Sequence, residues 1–320
     1  MSAGTGRKAV AIGGGTGLPA VIHCLLDLGF ETSAVVTMAD DGGSSGQLRK
    51  QLGMLPPGDI RNCLVAMADD ENSLEAQLFQ YRFPEAESGH VGHALGNLFL
   101  AALTDITGSF PEAIASASRF LHARGEVLPS TLADVYLHGI DREGGAHSGQ
   151  ATLAQAPHAL ARVRLDPACP PAYEPALEAV RAADVIVIGP GSLFTSLIPN
   201  FLVSGVADAV CNSKATRIYV CNVANMRGET HGLDAADHIT ALAEHGLKHA
   251  IDVVLVHDPC LAGASVCENG AVEPVVADEP VRHRIELLGI RVVAADLADP
   301  NDPVRHSRAD LRRTLEGVVS

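Results

Sequence analysis

Six short runs of β-branched and other apolar residues recur along this chain and fix its fold class: 8–12, 33–38, 184–188, 217–221, 252–256 and 290–294, most of them running into glycine or aspartate. Runs of this length, apolar throughout rather than alternating, read as strands buried on both faces. Helical patterns lie between most of them, at 17–28, 174–182 and 234–245, the last opening on Asp234 as an N-cap with Asp237 in its first turn. Such alternation means βαβ crossovers, and hence a three-layer, Rossmann-like, doubly wound α/β fold with a mostly parallel sheet.

Residues 60–125 interrupt the rhythm. They read as mostly helical around a loop from Pro84 to Gly92, so they are expected to elaborate the sheet rather than extend it. Residues 135–140, a double-glycine turn at 141–145 and a second run ending at Leu165 predict a hairpin. Acidic stretches at 69–75 and 273–280 read as solvated loops. With no tandem repeat and no low-complexity linker, the expectation is one domain over residues 1–320 carrying a helical insertion.

The first run opens directly into Gly13-Gly14-Gly15-Thr16-Gly17-Leu18. Glycine lets a backbone take positive φ and approach a ligand closely, and the helix that follows aims unpaired N–H groups and the positive end of its dipole at an anion. Gly15, Gly17 and Ala20 fit G-x-G-x-x-G/A, with Asp40 placed after the next strand as a ribose-binding acid would be. A tight strand-to-helix turn needs glycine in any case, so this pattern alone does not prove a nucleotide site. Gly189-Pro190-Gly191-Ser192, followed by Thr195, repeats the arrangement after the 184–188 run. Two such turns on neighbouring strands could grip a diphosphate from both sides. G-P-G-S-L is not a G-x-S-x-G nucleophile elbow, so Ser192 reads as a cap or phosphate ligand.

Asp40 and Asp41 stand where ligands bind in open α/β sheets, and adjacent carboxylates there can hold ribose, coordinate Mg²⁺ or accept a proton; an Asx turn is the plainer reading. Pro56-Pro57-Gly58-Asp59 would begin a helix with Asp59 as a cap, whereas Arg61 and Asn62 in its first turn suit phosphate or sugar. His93 and Asn97 share a helix face with Gly96 between them, and His90 with His93 lacks a third nearby metal ligand. Asn222, Thr230 and Arg305 complete the polar candidates.

A net charge of −15 argues against nucleic acid or an anionic membrane surface as partner, since both require a basic face. Seven scattered cysteines without a C-x-x-C pair, no apolar leader and no run near eighteen apolar residues predict a cytoplasmic chain without a membrane span.

Taken in order, G-G-G-T-G-L at 13–18, A-D-D-G-G-S-S-G at 39–46, P-P-G-D-I-R-N at 56–62, G-H-A-L-G-N-L at 92–98, I-G-P-G-S-L-F-T-S at 188–196, N-x₅-G-E-T at 222–230 and V-R-H at 304–306 resemble the YvcK family over nearly the whole chain. The resemblance implies a CofD-like fold and a cytoplasmic bacterial gluconeogenesis factor. It further implies a role in cell shape and wall synthesis on gluconeogenic carbon, with UDP-sugars such as UDP-N-acetylglucosamine as ligands and no assigned reaction. It also implies kinship with the 2-phospho-L-lactate transferases, which use a nucleotide diphosphate donor, Mg²⁺ and aspartates; their S-P-D-L-D-T segment is replaced here by Pro57-Gly58-Asp59-Ile60-Arg61-Asn62. His231, Arg227 and Ser307 depart from the usual YvcK residues.

The leading expectation is therefore a nucleotide-sugar sensor needing no cofactor. Gly13, Gly14, Gly15, Thr16, Gly17, Leu18, Gly189, Gly191, Ser192 and Thr195 would lie around the diphosphate and Asp40 at the ribose, with Asp41, Asp59, Asn62, His93, Asn97, Asn222, Thr230 and Arg305 as further contacts. The alternative is a Mg²⁺-dependent transferase using Asp40, Asp41 and Asp59. A dehydrogenase holding NAD ranks third, for want of a hydride-transfer residue. A second copy of the chain is a candidate partner.

Overall fold

The computed structural model describes residues 6–84, 92–258 and 273–320; His90, Cys260, Cys267 and most of the expected loop from Pro84 to Gly92 fall outside them. Seven parallel strands form the main sheet: β1 (Lys8–Gly13), β2 (Glu31–Val36), β3 (Glu126–Pro129), β7 (Val185–Ile188), β8 (Thr216–Val220), β9 (Val253–His257) and β10 (Arg291–Ala295), in the order β10-β9-β8-β7-β1-β2-β3. All six apolar runs became strands of this sheet. β1 and β7 are buried almost end to end, as central strands covered on both faces must be. A second sheet, β5-β4-β6, joins β4 (Tyr136–Asp141), β5 (Ala146–Ser148) and β6 (Leu160–Asp166), and β11 (Ala298–Asp299) pairs with β12 (Asp302–His306).

The helices are α1 (Leu18–Asp27), α2 (Gly43–Leu52), α3 (Gly58–Met67), α4 (Leu74–Gln80), α5 (Leu95–Thr107), α6 (Phe110–Phe120), α7 (Gln150–Leu153), α8 (Glu174–Ala182), α9 (Ile198–Phe201, continuing a π-helical turn Leu193–Leu197), α10 (Val206–Cys211), α11 (Ala235–Glu244), α12 (Glu279–Glu286) and α13 (Arg308–Val319). α11 opens as expected: Asp234 accepts from the Asp237 N–H at 2.9 Å, and Asp237 returns the bond to the Asp234 N–H at 3.2 Å, a capping box. α3 to α6 fill the expected helical stretch.

Three local expectations need correction. The 135–165 hairpin is a three-stranded antiparallel sheet, because the turn after β4 leads into the short β5 and α7 before β6 pairs with the far edge of β4. β3 adds an edge strand to the main sheet just after the helical stretch. The acidic stretches are loops only in part, since Leu74 and Glu279 begin α4 and α12, capped by Ser73 and Asp278. Among the described residues no helix is long and apolar enough to cross a membrane.

Chain order reverses between β1 and β7: β2 and β3 lie outward on one side, β8 to β10 on the other. Loops leaving the carboxyl ends of strands at such a switch point part to opposite faces and leave a crevice.

Candidate functional site

The two glycine turns meet at that crevice. A Cβ on Gly17 would stand 2.6 Å from the Pro190 carbonyl oxygen and 3.2 Å from the Gly191 nitrogen, and one on Gly191 would stand 3.2 Å from the Gly14 carbonyl oxygen. Only glycine permits this approach. Above the turns lies a cleft of about 410 Å³, walled by Gly15, Thr16, Gly17, Gly191, Ser192 and Asn222, with Arg305 and His306 from β12 closing one side.

The first turn keeps its donors. Gly17 is the N-cap of α1 and brings no capping side chain, and among the described residues the N–H groups of Thr16, Gly17 and Leu18 carry no hydrogen bond. Uncommitted amides at a helix start attract an anion. Leu18 itself is buried in the core, so only its backbone can serve the cleft. Gly13 has its carbonyl taken by the Thr37 N–H and by Asn200 Nδ2.

The second turn has largely spent its donors, which corrects the expectation of a symmetric grip. Glu229, fully buried, accepts from the Phe194 N–H at 2.8 Å, the Thr195 N–H at 2.9 Å and the Thr195 hydroxyl at 3.2 Å. Asn222 clamps Gly191 by accepting from its N–H at 3.1 Å and donating to its carbonyl at 2.8 Å. Gly189 donates to the Ile12 carbonyl at 3.0 Å. Thr195 and Asn222 therefore shape the loop, and Thr230, fully buried, accepts from the Met226 N–H at 2.9 Å. Ser192 remains on the cleft wall.

Beneath the first turn lies an acidic pair. The Gly15 N–H donates to Asp59, whose carboxylate lies where a Cβ on Gly14 would fall, at 2.7 Å. Asp40 accepts from the Gly42 N–H at 3.0 Å, which is the Asx turn. Asp41 turns away and accepts from the Ala151 N–H at the start of α7. Among the described residues no three acidic, histidine or thiol groups converge as a metal cage. Asp40 with Asp59 does fit Mg²⁺, an ion that commonly rests on one or two carboxylates and takes its other ligands from phosphate and water.

Burial, then the charge of Asp40, pushes the Asp59 carboxyl up to about 7, against the pull of the Gly15 N–H and Arg61; Asp40 is raised too, chiefly by burial. A raised carboxyl stabilises the fold fully below its ordinary 3.8 and loses that contribution as pH climbs through about 7. Asp59→Asn, which cannot ionise, is expected to gain about 3–4 kcal/mol on the parent between roughly pH 4 and pH 8. Urea denaturation at both pH values measures it, and a gap that stays constant would show that Asp59 does not titrate there.

His93 is buried, its Nδ1 2.8 Å from the Ser44 hydroxyl, which also accepts from Asn97 Nδ2 at 3.0 Å; neither residue borders the cleft. Asn62 lies in an adjoining cavity. Sequence reading missed His23 and Arg308 on the cleft wall, and Glu229 as the acid that fills the second turn. Burial holds His23 below its ordinary value and brings His306 down to about 4, so both rings are neutral at pH 7. Another hollow, of about 540 Å³, opens at the amino ends of β1 and β2 around Lys8 and Glu31 and along α8, away from the glycine turns.

The model of the 2-phospho-L-lactate transferase CofD family matches residues 9–298. The chain is 41% identical to a gluconeogenesis factor of Halalkalibacterium halodurans, over 97% of this chain and 96% of that one. It is 39% identical to the gluconeogenesis factor of Bacillus subtilis, over 93% and 94%. A crystal structure of a UPF0052 family member from Bacillus halodurans superposes with a TM-score of 0.88 at 40% identity, covering 98% of this chain and all of that one. Fold, near-full-length sequence and the glycine turns thus agree with the resemblance read from the motifs: the chain belongs to the gluconeogenesis factors of the CofD family.

Proposed function

We propose that this chain binds a nucleotide diphosphate sugar of the UDP-N-acetylglucosamine type in the switch-point cleft and acts in the cytoplasm as a regulator of cell shape and wall synthesis during growth on gluconeogenic carbon. The observation that carries the reading is the uncapped start of α1, where Thr16, Gly17 and Leu18 offer free N–H groups to a pyrophosphate. Glu229 and Asn222 support it indirectly, by bracing the second turn against the first. Arg305 supplies a cation at the rim; it is 62% exposed and, among the described residues, paired with Asp302 alone at 3.0 Å, a surface contact that is easily exchanged. The output of a sensor is a population shift that requires differential binding and no chemical step.

At a UDP-N-acetylglucosamine concentration about a hundred times Kd, the fold should gain about 2.7 kcal/mol, read as a rise of several degrees in Tm. Superimposable melting curves with and without the nucleotide sugar would reject the reading. GDP and NADH, tested alongside, rank the base and address the dehydrogenase alternative.

A Mg²⁺-dependent transferase is the second reading, favoured by the Asp40–Asp59 pair beside the diphosphate turn and by the CofD match. Mg²⁺ held on Asp40 would neutralise charge on a departing phosphate. Asp59, ionised above about pH 7, would then accept a proton from a hydroxyl brought to the turn. Incubation with nucleotide diphosphate donors and a deazaflavin acceptor tests it; donor left intact with Mg²⁺ present rejects it.

A further inference from the structure

A second cavity, of about 520 Å³, adjoins the glycine cleft and shares with it Thr16, Pro19, His23 and Arg305. Its own wall bears two arginines, Arg61 and Arg82. Arg61, in the first turn of α3, is 3% exposed, and Gly96 makes room for it: a Cβ there would come within 2.9 Å of Arg61 Cγ and 2.7 Å of the Phe79 carbonyl oxygen. Among the described residues the guanidinium is held by neutral amides alone, donating to Asn97 Oδ1 at 3.2 Å and to Asn62 Oδ1 at 2.6 Å, and its buried Nε has no partner. Arg82 donates to the Gly92 carbonyl at 3.0 Å.

Among the described residues neither arginine forms an ion pair, whereas Arg49, Arg217, Arg282 and Arg308 each do. Glu71, on the rim of the cavity, is engaged by Arg308 at 3.1 Å and His23 at 3.2 Å. Asp59 and Asp40 lie close enough to favour the charge on Arg61 without hydrogen-bonding to it. Burial, then the charge of Arg82, lowers the Arg61 pKa to about 10, so the cation persists at neutral pH. Arg61 and Arg82 face one hollow with Arg305 at its shared edge, and like charges so gathered, one of them buried with an idle donor, are costly unless an anion completes them. Each terminal nitrogen spends one N–H on an amide and keeps a second, so the fixed guanidinium on the cavity wall still has donors for a phosphate or carboxylate.

We infer that this cavity is an anion subsite in which Arg61 and Arg82 together take a phosphate or carboxylate group of a small molecule, beside whatever fills the glycine cleft. The subsite does not depend on the identity of the cleft ligand. Its anion is either an acidic group reaching over from that ligand or a separate small anion.

Inorganic phosphate is the probe, titrated calorimetrically into the full chain. It is expected to bind the parent and to bind Arg82→Gln at least about tenfold more weakly, the loss of a charge-assisted bond. Arg82 is exposed, so that variant should fold; Arg61→Lys, which keeps the charge but loses the fork, is expected to weaken binding severalfold. Phosphate that ignores the parent, or binds both variants as tightly as the parent, overturns the inference; the latter result would place it on the α1 turn. Repeating the titration with UDP-N-acetylglucosamine present separates the sources: unchanged phosphate affinity means an independent anion, and displacement means an acidic arm of the cleft ligand. Failure of the nucleotide sugar to bind would leave the phosphate result standing.

Discussion

Glu229→Ala is expected to cost about 3–5 kcal/mol of folding stability. The carboxylate is fully buried and is the acceptor for two main-chain N–H groups and one hydroxyl at the π-helical turn. Alanine leaves all three donors where water does not reach, together with a void. Glu229→Gln keeps the accepting oxygen and is expected to lose only about 1 kcal/mol. Burial raises the Glu229 pKa despite those donors, so its contribution is fullest below the ordinary 4.5 and declines as pH rises. The neutral glutamine should therefore gain on the parent as pH increases. Urea denaturation decides the matter, and an alanine variant as stable as the parent would show that the second turn does not depend on this acid.

A single methyl group at Gly17 is expected to be nearly as damaging, at about 2–3 kcal/mol, and to abolish any response to nucleotide sugar. Gly17 has φ −84°, a conformation alanine adopts freely, so backbone strain plays no part. The obstacle is the Pro190 carbonyl, 2.6 Å from the new carbon, and relief requires the two turns to part. Stability and ligand response should fall together in Gly17→Ala. A variant that melts like the parent and still responds to UDP-N-acetylglucosamine would mean that contact between the turns is incidental to binding.

The sheet was legible because buried parallel strands announce themselves as unbroken apolar runs, and β1, β2, β7, β8, β9 and β10 all do. β3 did not: it has four residues, ends on Pro129 and sits at an edge, where pairing on one side makes little demand on composition. β11 and β12 are short and no residue of either is fully buried, so they too make little demand on composition. At the site, the turns were readable because glycine at a close approach has no substitute. Which donors stay free was not, because that depends on partners far away in sequence. Thr195 reads as a phosphate ligand until Glu229, 34 positions on, takes its donors. Asp41 reads like Asp40 until Ala151 claims it, 110 positions away. Ser307, a departure from the usual motif, caps α13 by accepting from the Asp310 N–H at 3.4 Å.

β1 sits mid-sheet, yet one of its two neighbours lies far along the chain; the Lys8 N–H donates to the Asp184 carboxylate across 176 positions. A fragment ending before Val185 would hold a glycine turn with half a wall, and a central strand with one ladder exposed. Such a bare edge invites pairing with another molecule. Dissecting this protein should therefore yield sticky pieces rather than a minimal binding module, and closing so long a loop should make its folding slow.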